Sequence, residues 1–301
     1  MQNRVIRIGS RESLLAQAQT DMVIAELGEL GYECEKVLFK TTGDKMLDRP
    51  LRDFGGKAVF VTEIEDSLLA GDVDIAVHSA KDMPGELADG LTIAACLPRE
   101  DVHDVLVTRK GTAKEDIHVL GTSSLRRQCQ VSRYLDNVEV KDLRGNVPTR
   151  INKLKAGEYD AIILAAAGIK RLGIDSDPEL NYEYIGFDDS VPAAGQGIIA
   201  IESRDTGEIH DIAAKLNRPD SMIRLTAERA FMRAIGADCH DAVAAYSELD
   251  GSDIKLRVMK YVGGKCVCFS GTAPADSSIG LAQSLGDKML DAEAKEGGSN
   301  E

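Results

Sequence analysis

Nine consecutive residues of this chain place hydroxyl and guanidinium groups where an anion could be held: Val119-Leu120-Gly121-Thr122-Ser123-Ser124-Leu125-Arg126-Arg127. An apolar run stops at a glycine and gives way to three hydroxyls and two arginines, the pattern of a strand running into a helix. Unpaired N–H groups and the positive end of the dipole at a helix start attract an anion, which Thr122, Ser123 and Ser124 would surround and an arginine would clamp. The plain alternative is a Ser N-cap followed by two solvated arginines. The neighbours favour the anion, because Asp142-Leu143-Arg144-Gly145-Asn146, then Arg150, then Lys170-Arg171-Leu172-Gly173 repeat basic residues just past apolar runs.

Two more corners carry polar groups. Arg11 and Ser13 lie between a strand at Val5 to Ile8 and a helix whose apolar face is Leu14, Leu15, Ala18, Met22 and Ala25. The buried strand Asp74-Ile75-Ala76-Val77-His78 leads into Ser79-Ala80-Lys81-Asp82-Met83-Pro84, where Pro84 forbids a continuing helix interior. Ser79, Lys81 and Asp82 are thereby held at a strand's carboxyl end, where open parallel sheets place ligands.

The remaining elements supply the frame. Cys34 to Thr41 reads as a strand, and Thr42 to Ala58, with glycines, a proline and no periodicity, as a lid. Thr62 and Glu65 have capping-box spacing for a helix through Ala70. Strands at Leu91 to Leu97 and Asp104 to Thr108 flank Pro98-Arg99-Glu100-Asp101, a crossover between lobes. Strands at Val119, Val138 to Leu143 and Ala161 to Ala165 then alternate with helices, which implies a second, largely parallel sheet. Val191 to Gly197 is turn chemistry that returns the chain to the first lobe, and its Gly-x-Gly is too short for a dinucleotide fingerprint. A helix from Ser221 to Ile235, strands at Ala242 to Tyr246, Ile254 to Tyr261 and Lys265 to Ser270, hairpin turns at Asp250-Gly251 and Gly263-Gly264, and a last helix to about Ala294 form a small antiparallel α+β domain.

With 301 residues, 43% apolar and 29% charged, the chain has the composition of a globular protein of two or three domains. A net charge of -14 argues against a general nucleic-acid binder and makes the arginine clusters local exceptions, suited to a small polyanion steered into a cleft. Six cysteines without a C-x-x-C pair form neither a disulfide scaffold nor a zinc module, and no metal site is expected. Cys266 and Cys268, on one face of a strand, read as small buried apolar residues. No apolar run reaches membrane-spanning length and Met1 to Ile8 lacks a secretory pattern, so a cytoplasmic protein is expected.

In combination these segments resemble the porphobilinogen deaminase (hydroxymethylbilane synthase) family. The resemblance rests on Ile75 to Asp82, Gly121 to Arg127, Leu143-Arg144-Gly145-Asn146-Val147 with Arg150, Tyr159-Asp160-Ala161-Ile162-Ile163-Leu164-Ala165, Gly195-Gln196-Gly197 and Thr226-Ala227-Glu228-Arg229-Ala230, in the family's order. It implies an α/β fold: two βα lobes of periplasmic-binding-protein-like topology with mixed, mostly parallel sheets, plus a small C-terminal α+β domain with an antiparallel sheet. The expected domains are 1–98 with 196–217, 99–195, and 218–301, the last carrying the cofactor cysteine.

The implied activity is the head-to-tail condensation of four porphobilinogen molecules into hydroxymethylbilane, with loss of ammonia, on a dipyrromethane cofactor held by a thioether. The resemblance places that thioether at Cys239 and the catalytic carboxylate at Asp82. It assigns acetate and propionate binding to Arg11, Ser13, Ser79, Lys81, Thr122, Ser123, Ser124, Arg126, Arg127, Arg144, Arg150, Arg171, Gln196 and Gly197, and the lid flanks to Lys57 and Phe60. A monomer acting on a small molecule, without nucleic acid or membrane, is expected. Two places depart from the family: Asp53 stands where many members have lysine, and Ala237-Asp238-Cys239-His240-Asp241-Ala242 replaces the usual Gly-Gly-Cys-Gln-x-Pro. The competing readings are a two-lobed small-anion-binding protein and an inactive relative of the deaminases.

Overall fold

In the computed structural model, which describes residues 4–40, 61–237 and 241–297, the apolar runs become three sheets. In chain order the first elements are β1 (Ile6–Arg11), α1 (Leu14–Glu29), β2 (Cys34–Phe39), α2 (Thr62–Ala70), β3 (Ile75–Ser79), a 3-10 turn (Ala80–Asp82) and β4 (Leu91–Cys96). There follow β5 (Asp104–Arg109), β6 (Val119–Gly121), α3 (Leu125–Gln130), β7 (Glu139–Lys141), α4 (Val147–Lys155), β8 (Ala161–Ala165), α5 (Ala166–Arg171) and β9 (Leu180–Tyr184). The chain ends with β10 (Ile199–Arg204), α6 (Glu208–Ala214), α7 (Pro219–Ala234), β11 (Val243–Asp250), β12 (Asp253–Val262), β13 (Lys265–Pro274) and α8 (Ser278–Gly297). Two units emerge, Met1–Arg99 with Ile198–Met222 and Glu100–Gly197 with Ile223–Glu301.

The first unit holds the sheet β2-β1-β3-β10-β4, in which β10 runs antiparallel to both of its neighbours. A sheet buried on both faces needs continuous apolar strands, and β3 supplies one. Ile75 and Val77 join a core with Ile8, Val23, Leu27 and Ile201, while Ala76 faces Ile64 and Leu68 of α2 on the other side.

The second unit repeats that order as β7-β6-β8-β5-β9, with β5 antiparallel to its neighbours. Val105 and Val107 face one core with Ile162 and Leu164; Leu106 faces the other with Ala161 and Ile163. This unit also contains the antiparallel sheet β11-β12-β13. Val243 and Ala245 pack with Phe231, Leu285 and Met289, and Ala244 and Tyr246 pack with Val102 and Val191. The α/β class with mixed sheets and a small antiparallel sheet is as the sequence implied. Among the described residues no helix is long and apolar enough to cross a membrane.

Several local expectations are corrected. Val61, not Thr62, occupies the N-cap of α2, so Thr62 is the first helical residue and its box with Glu65 does not form the start. The first hairpin turns at Gly251-Ser252, because Asp250 pairs with Asp253; only Gly251 needs positive φ, as a glycine-first two-residue turn requires. Gly263 and Gly264 both have positive φ and close the second hairpin as expected. Strands β9 and β10 and helix α6 had no counterpart in the sequence reading.

Candidate functional site

In the first unit, two strand ends meet at one cleft. β1 ends at Arg11, and Ser13 caps α1 by accepting the Ala16 amide at 3.2 Å, a contact typically worth about 1 kcal/mol. β3 ends at Ser79 and turns through Ala80–Asp82, where Met83 is followed by Pro84 and the helical turn stops. Arg11, Ser13, Gln19, His78, Ser79 and Asp82 all line this cleft. The structure therefore brings together four of the residues singled out in the sequence, with Lys81 half-buried on the same turn.

Gln19 was not foreseen. It is almost fully buried, and its amide exchanges hydrogen bonds with the Ser79 hydroxyl at 2.9 and 3.1 Å. Such an amide fixes the orientation of the hydroxyl it holds. Its only sequence signal was a polar residue on the inner side of an otherwise apolar helix turn.

In the second unit, the corner after β6 is tight. A Cβ at Gly121 would lie 2.7 Å from the Tyr159 ring, whose hydroxyl donates to the Asp142 carbonyl at 2.7 Å. The hydroxyls expected to surround an anion are engaged in holding the loop: Thr122 Oγ1 accepts the Ser124 amide at 3.2 Å, and Ser123 Oγ both donates to and accepts from the Leu143 backbone at 3.0 Å. Ser124 stands at the N-cap of α3 without a side-chain capping bond.

Arg126 and Arg127 are buried, not solvated. Both turn to Asp104 at the start of β5: Arg126 Nη1 donates to Oδ2 at 2.7 Å, and Arg127 Nη2 donates to Oδ1 at 2.8 Å. Ser190 Oγ and Gln196 Nε2 also donate to this carboxylate, at 2.9 and 3.1 Å. Burial pushes the Asp104 carboxyl up, but the charges and hydrogen bonds of Arg126 and Arg127 outweigh it and hold the group well below the ordinary carboxylate range. Asp104 escaped the sequence reading; a carboxylate heading an apolar strand was its one signal.

Around the corner after β7, Gly145 has φ +114 and a Cβ there would meet Thr149 Cγ2 at 2.8 Å. Asn146 caps α4 by accepting the Thr149 amide at 2.9 Å, and Arg150 Nε donates to the Gly145 carbonyl at 2.8 Å. Arg144 and Arg150 are half-buried there. Arg171, at the end of α5, donates through Nη2 to the Gly197 carbonyl at 2.6 Å, while its Nε is buried without a partner. Burial pushes the Arg171 guanidinium down to about 10 against the opposing charge of Glu100. Gly197 has φ +86, and a Cβ would lie 2.4 Å from the Glu100 carbonyl oxygen, so only glycine fits.

Cys268 is exposed, contrary to the reading of both strand cysteines as buried, and its sulfur accepts from Arg133 at 3.2 Å; Cys266 donates to the Cys129 carbonyl at 3.0 Å. Lys57, Phe60, Asp53 and Cys239 lie outside the described residues.

A family model described as "Porphobilinogen deaminase, dipyromethane cofactor binding domain" matches residues 6–211. The porphobilinogen deaminase of Francisella tularensis subsp. mediasiatica is 46% identical over 260 residues, 84% of this chain and 85% of its own. That of Francisella tularensis subsp. novicida is equally similar, 46% over 260 residues with the same shares of 84% and 85%. Among solved structures, the Bordetella pertussis BvgS periplasmic VFT2 domain is 14% identical, covers 70% of this chain and 85% of its own, and has a TM-score of 0.41.

Proposed function

The chain belongs to the porphobilinogen deaminase family, and from that membership we infer that it condenses four porphobilinogen molecules head to tail, on a covalent dipyrromethane primer, into hydroxymethylbilane with release of ammonia. Identity to the Francisella enzymes, sustained over most of both chains, carries this reading.

The roles of individual residues follow from the chemistry. Loss of ammonia from the aminomethyl group of porphobilinogen leaves a cation conjugated with the pyrrole nitrogen. An anion is needed where that charge develops, and Asp82, at the cleft with Arg11 and Ser13, is the carboxylate we assign to it. The same carboxylate accepts the pyrrole N–H and takes up the proton that the ring carbon sheds once the new C–C bond has formed. Gln19 holds the Ser79 hydroxyl ready at the cleft wall.

A primer that carries carboxylates needs donors that the protein leaves unspent, and the buried, unpartnered Nε of Arg171 is one. Arg171 therefore fits such a group, whereas Arg126, Arg127 and Gln196 spend their donors on Asp104 and nearby carbonyls, and Thr122 and Ser123 hold the loop backbone. Cys239 would hold the primer by its thioether, and Arg144, Arg150 and Arg171, with Ser124 and the Gly197 backbone, would hold carboxylates, as Arg11, Lys81, Ser13 and Ser79 would in the first unit; Arg126, Arg127, Gln196, Thr122 and Ser123 would do so by exchanging their present bonds to Asp104 and the backbone for bonds to the primer. When bound, dipyrromethane supplies an unsubstituted pyrrole carbon as nucleophile. Arginine suits this task because its planar fork binds a carboxylate by two parallel hydrogen bonds. Lys57 and Phe60 flank the lid in this reading. It extends to a cytoplasmic monomer that needs neither nucleic acid nor membrane.

Intact-mass measurement of the purified protein, followed by incubation with porphobilinogen, tests the reading. We expect a covalent surplus of two linked pyrroles, further pyrrole units added on incubation, and ammonia released with hydroxymethylbilane. A bare polypeptide mass that porphobilinogen leaves unchanged would favour a binding protein or an inactive relative.

A further inference from the structure

Behind the Asp82 corner lies a group of ionisable side chains that the chemistry above does not use. β3 is apolar at Ile75, Ala76 and Val77, and its next residue is His78, which is 5% exposed. His78 Nε2 lies 3.0 Å from Oε2 of Glu202 on β10, and Glu202 is fully buried. The antiparallel register pairs His78 with Ala200 and Ala76 with Glu202, so both side chains stand on one face of the sheet. Ala76 shows which face it is, since it packs with Ile64 and Leu68 of α2. From α2 comes Glu65, itself buried.

Two oxygens of this group, Glu202 Oε1 and Glu65 Oε1, are buried without a hydrogen-bond partner. Buried carboxylate oxygens are normally satisfied, and two neighbouring carboxylates out of water resist ionising together. The conflict is relieved when one carboxyl keeps a proton and the other accepts it. Burial, and next the charge of Glu202, raise the Glu65 pKa above the ordinary glutamate range, while the His78 charge and the Ala88 amide oppose them. Asp66, on the same helix, adds a small upward push. The one ionisable side chain of β4 is Cys96, which is buried with its sulfur 4.0 Å from Met222 Sδ. Arg204, next along β10, turns instead to the Leu68 carbonyl and to Asp74 at 3.8 Å.

This group is joined to the corner by the backbone. His78 precedes Ser79, the Ala80 amide donates to the Ile198 carbonyl at 3.0 Å, and Asp82 ends the turn that Ala80 begins. We propose that Glu65, Glu202 and His78 form a buried proton-sharing triad that fixes the carboxyl end of β3 and so positions Asp82 for the condensation. For what Asp82 does, the proposal rests on the deaminase reading. His78 alone of the three borders the cleft, and none is assigned to a reacting atom, so they act through Asp82 as positioning residues.

The consequences separate rate from binding. Glu202→Gln keeps the size but removes the anion facing the imidazole, and a displacement of the corner by about 1 Å is worth on the order of 100-fold in rate. Ser79 and Lys81 move with the corner, but Arg11 and Ser13 on the neighbouring strand end keep their places, so kcat falls by a larger factor than KM rises. As pH rises through the raised pKa, Glu65 becomes a second anion against Glu202 and the arrangement loosens. Wild-type kcat declines there. Glu65→Gln is neutral at every pH and lacks this decline.

The experiment compares kcat and KM across pH for the pyrrole-loaded wild type, Glu202→Gln and Glu65→Gln, together with the infrared band of a protonated carboxyl. That band should persist in the wild type at a pH where an ordinary glutamate has lost its proton, and be absent from Glu65→Gln. Glu65→Gln replaces a protonated acid by its neutral isostere, so it keeps the test open if Glu202→Gln fails to fold. Wild-type kcat and an unshifted pH profile in both variants, or no such band in the wild type, overturn the triad. A wild type that shows the band but makes no hydroxymethylbilane supports the proton sharing and tells against the deaminase reading instead.

Discussion

Arg127 holds Asp104 by two N–H groups on a single carboxylate oxygen, Nε at 3.1 Å and Nη2 at 2.8 Å from Oδ1. Arg126 takes Oδ2 at 2.7 Å and also donates to the Val191 carbonyl at 2.7 Å, while Arg127 Nη1 reaches the Ile163 carbonyl at 2.9 Å. One carboxylate thereby ties α3 to β5, β8 and the segment before Gly195. Two buried cations would repel each other there without it.

Asp104→Asn removes that compensation while keeping the shape. Breaking a buried ionic cluster by deleting one partner typically costs about 3–5 kcal/mol, because the other charges remain buried. The expected result is a lower melting temperature with a changed dependence on acid. Asp104 has a depressed pKa in the folded protein, so its contribution is fully present above the unfolded value of about 3.9 and is lost as pH falls through the folded value. Wild type should therefore lose stability in strong acid more steeply than Asp104→Asn does. Parallel acid-unfolding curves for the two proteins would show that the arginines are compensated elsewhere.

Glu228 of α7 makes a second buried junction in the same unit. It is fully buried, Oε2 accepts the Gly195 amide at 2.7 Å, and Oε1 accepts both the amide and the hydroxyl of Ser247 at 2.8 and 2.7 Å. Glu228→Gln turns one of these acceptors into a donor, so at least one backbone N–H faces another N–H. An unmet buried donor costs about 1–3 kcal/mol. The urea midpoint should fall with little change in slope, and amide exchange at Gly195 should quicken. A midpoint equal to that of the wild type would mean that the Gly195 turn stands without this anchor.

Such junctions were out of reach of the sequence for a physical reason. β3, β5 and β8 were legible because sheets covered on both faces demand unbroken apolar strands, and the corners after β3 and β6 were legible because Pro84 and Gly121 punctuate the chain there. β9 was missed because Leu180-Asn181-Tyr182-Glu183-Tyr184 is a largely exposed edge strand with little apolar content. α6 was missed because Gly207 at its N-cap offers no side-chain signal. Arg126 and Arg127 could be seen as candidates for an anion, but which anion lies nearest depends on β5 folding against β8. The carboxylate of Asp104, far along the chain, supplies it in this structure. His78 and Glu202 are separated by still more sequence and meet only through the register of β3 with β10.

Asp82→Asn tests the assigned carboxylate directly. The amide is the same size and can still accept a hydrogen bond, but it carries no charge to set against the cation formed when ammonia leaves. Losing one well-placed electrostatic group at a developing charge lowers kcat by roughly 100- to 1000-fold. Porphobilinogen should still bind, because Arg11, Ser13 and Ser79 at the cleft are unchanged. Equal kcat for the Asn variant and the wild type would remove Asp82 from the chemistry.

The attachment residue can be separated from the other thiols by mass. In the wild type Cys266 is occupied with the Cys129 carbonyl and burial raises its pKa, which disfavours a thiolate there, while Cys268 is exposed beside Arg133, so it is the thiol the comparison must exclude. Cys239→Ala should abolish the covalent pyrrole, whereas Cys266→Ala and Cys268→Ala should retain it. The same variant should be less stable. Each of the two linked pyrroles carries an acetate and a propionate, and each charge-assisted hydrogen bond to an arginine is worth roughly 1.5–3 kcal/mol. Without them, donors such as Arg171 Nε stay buried and unmet. A melting temperature several degrees below that of the loaded wild type is the expected outcome. Retention of the pyrrole mass in Cys239→Ala, or its loss in Cys266→Ala, would place the thioether on another cysteine and detach the altered segment Ala237 to Ala242 from the cofactor.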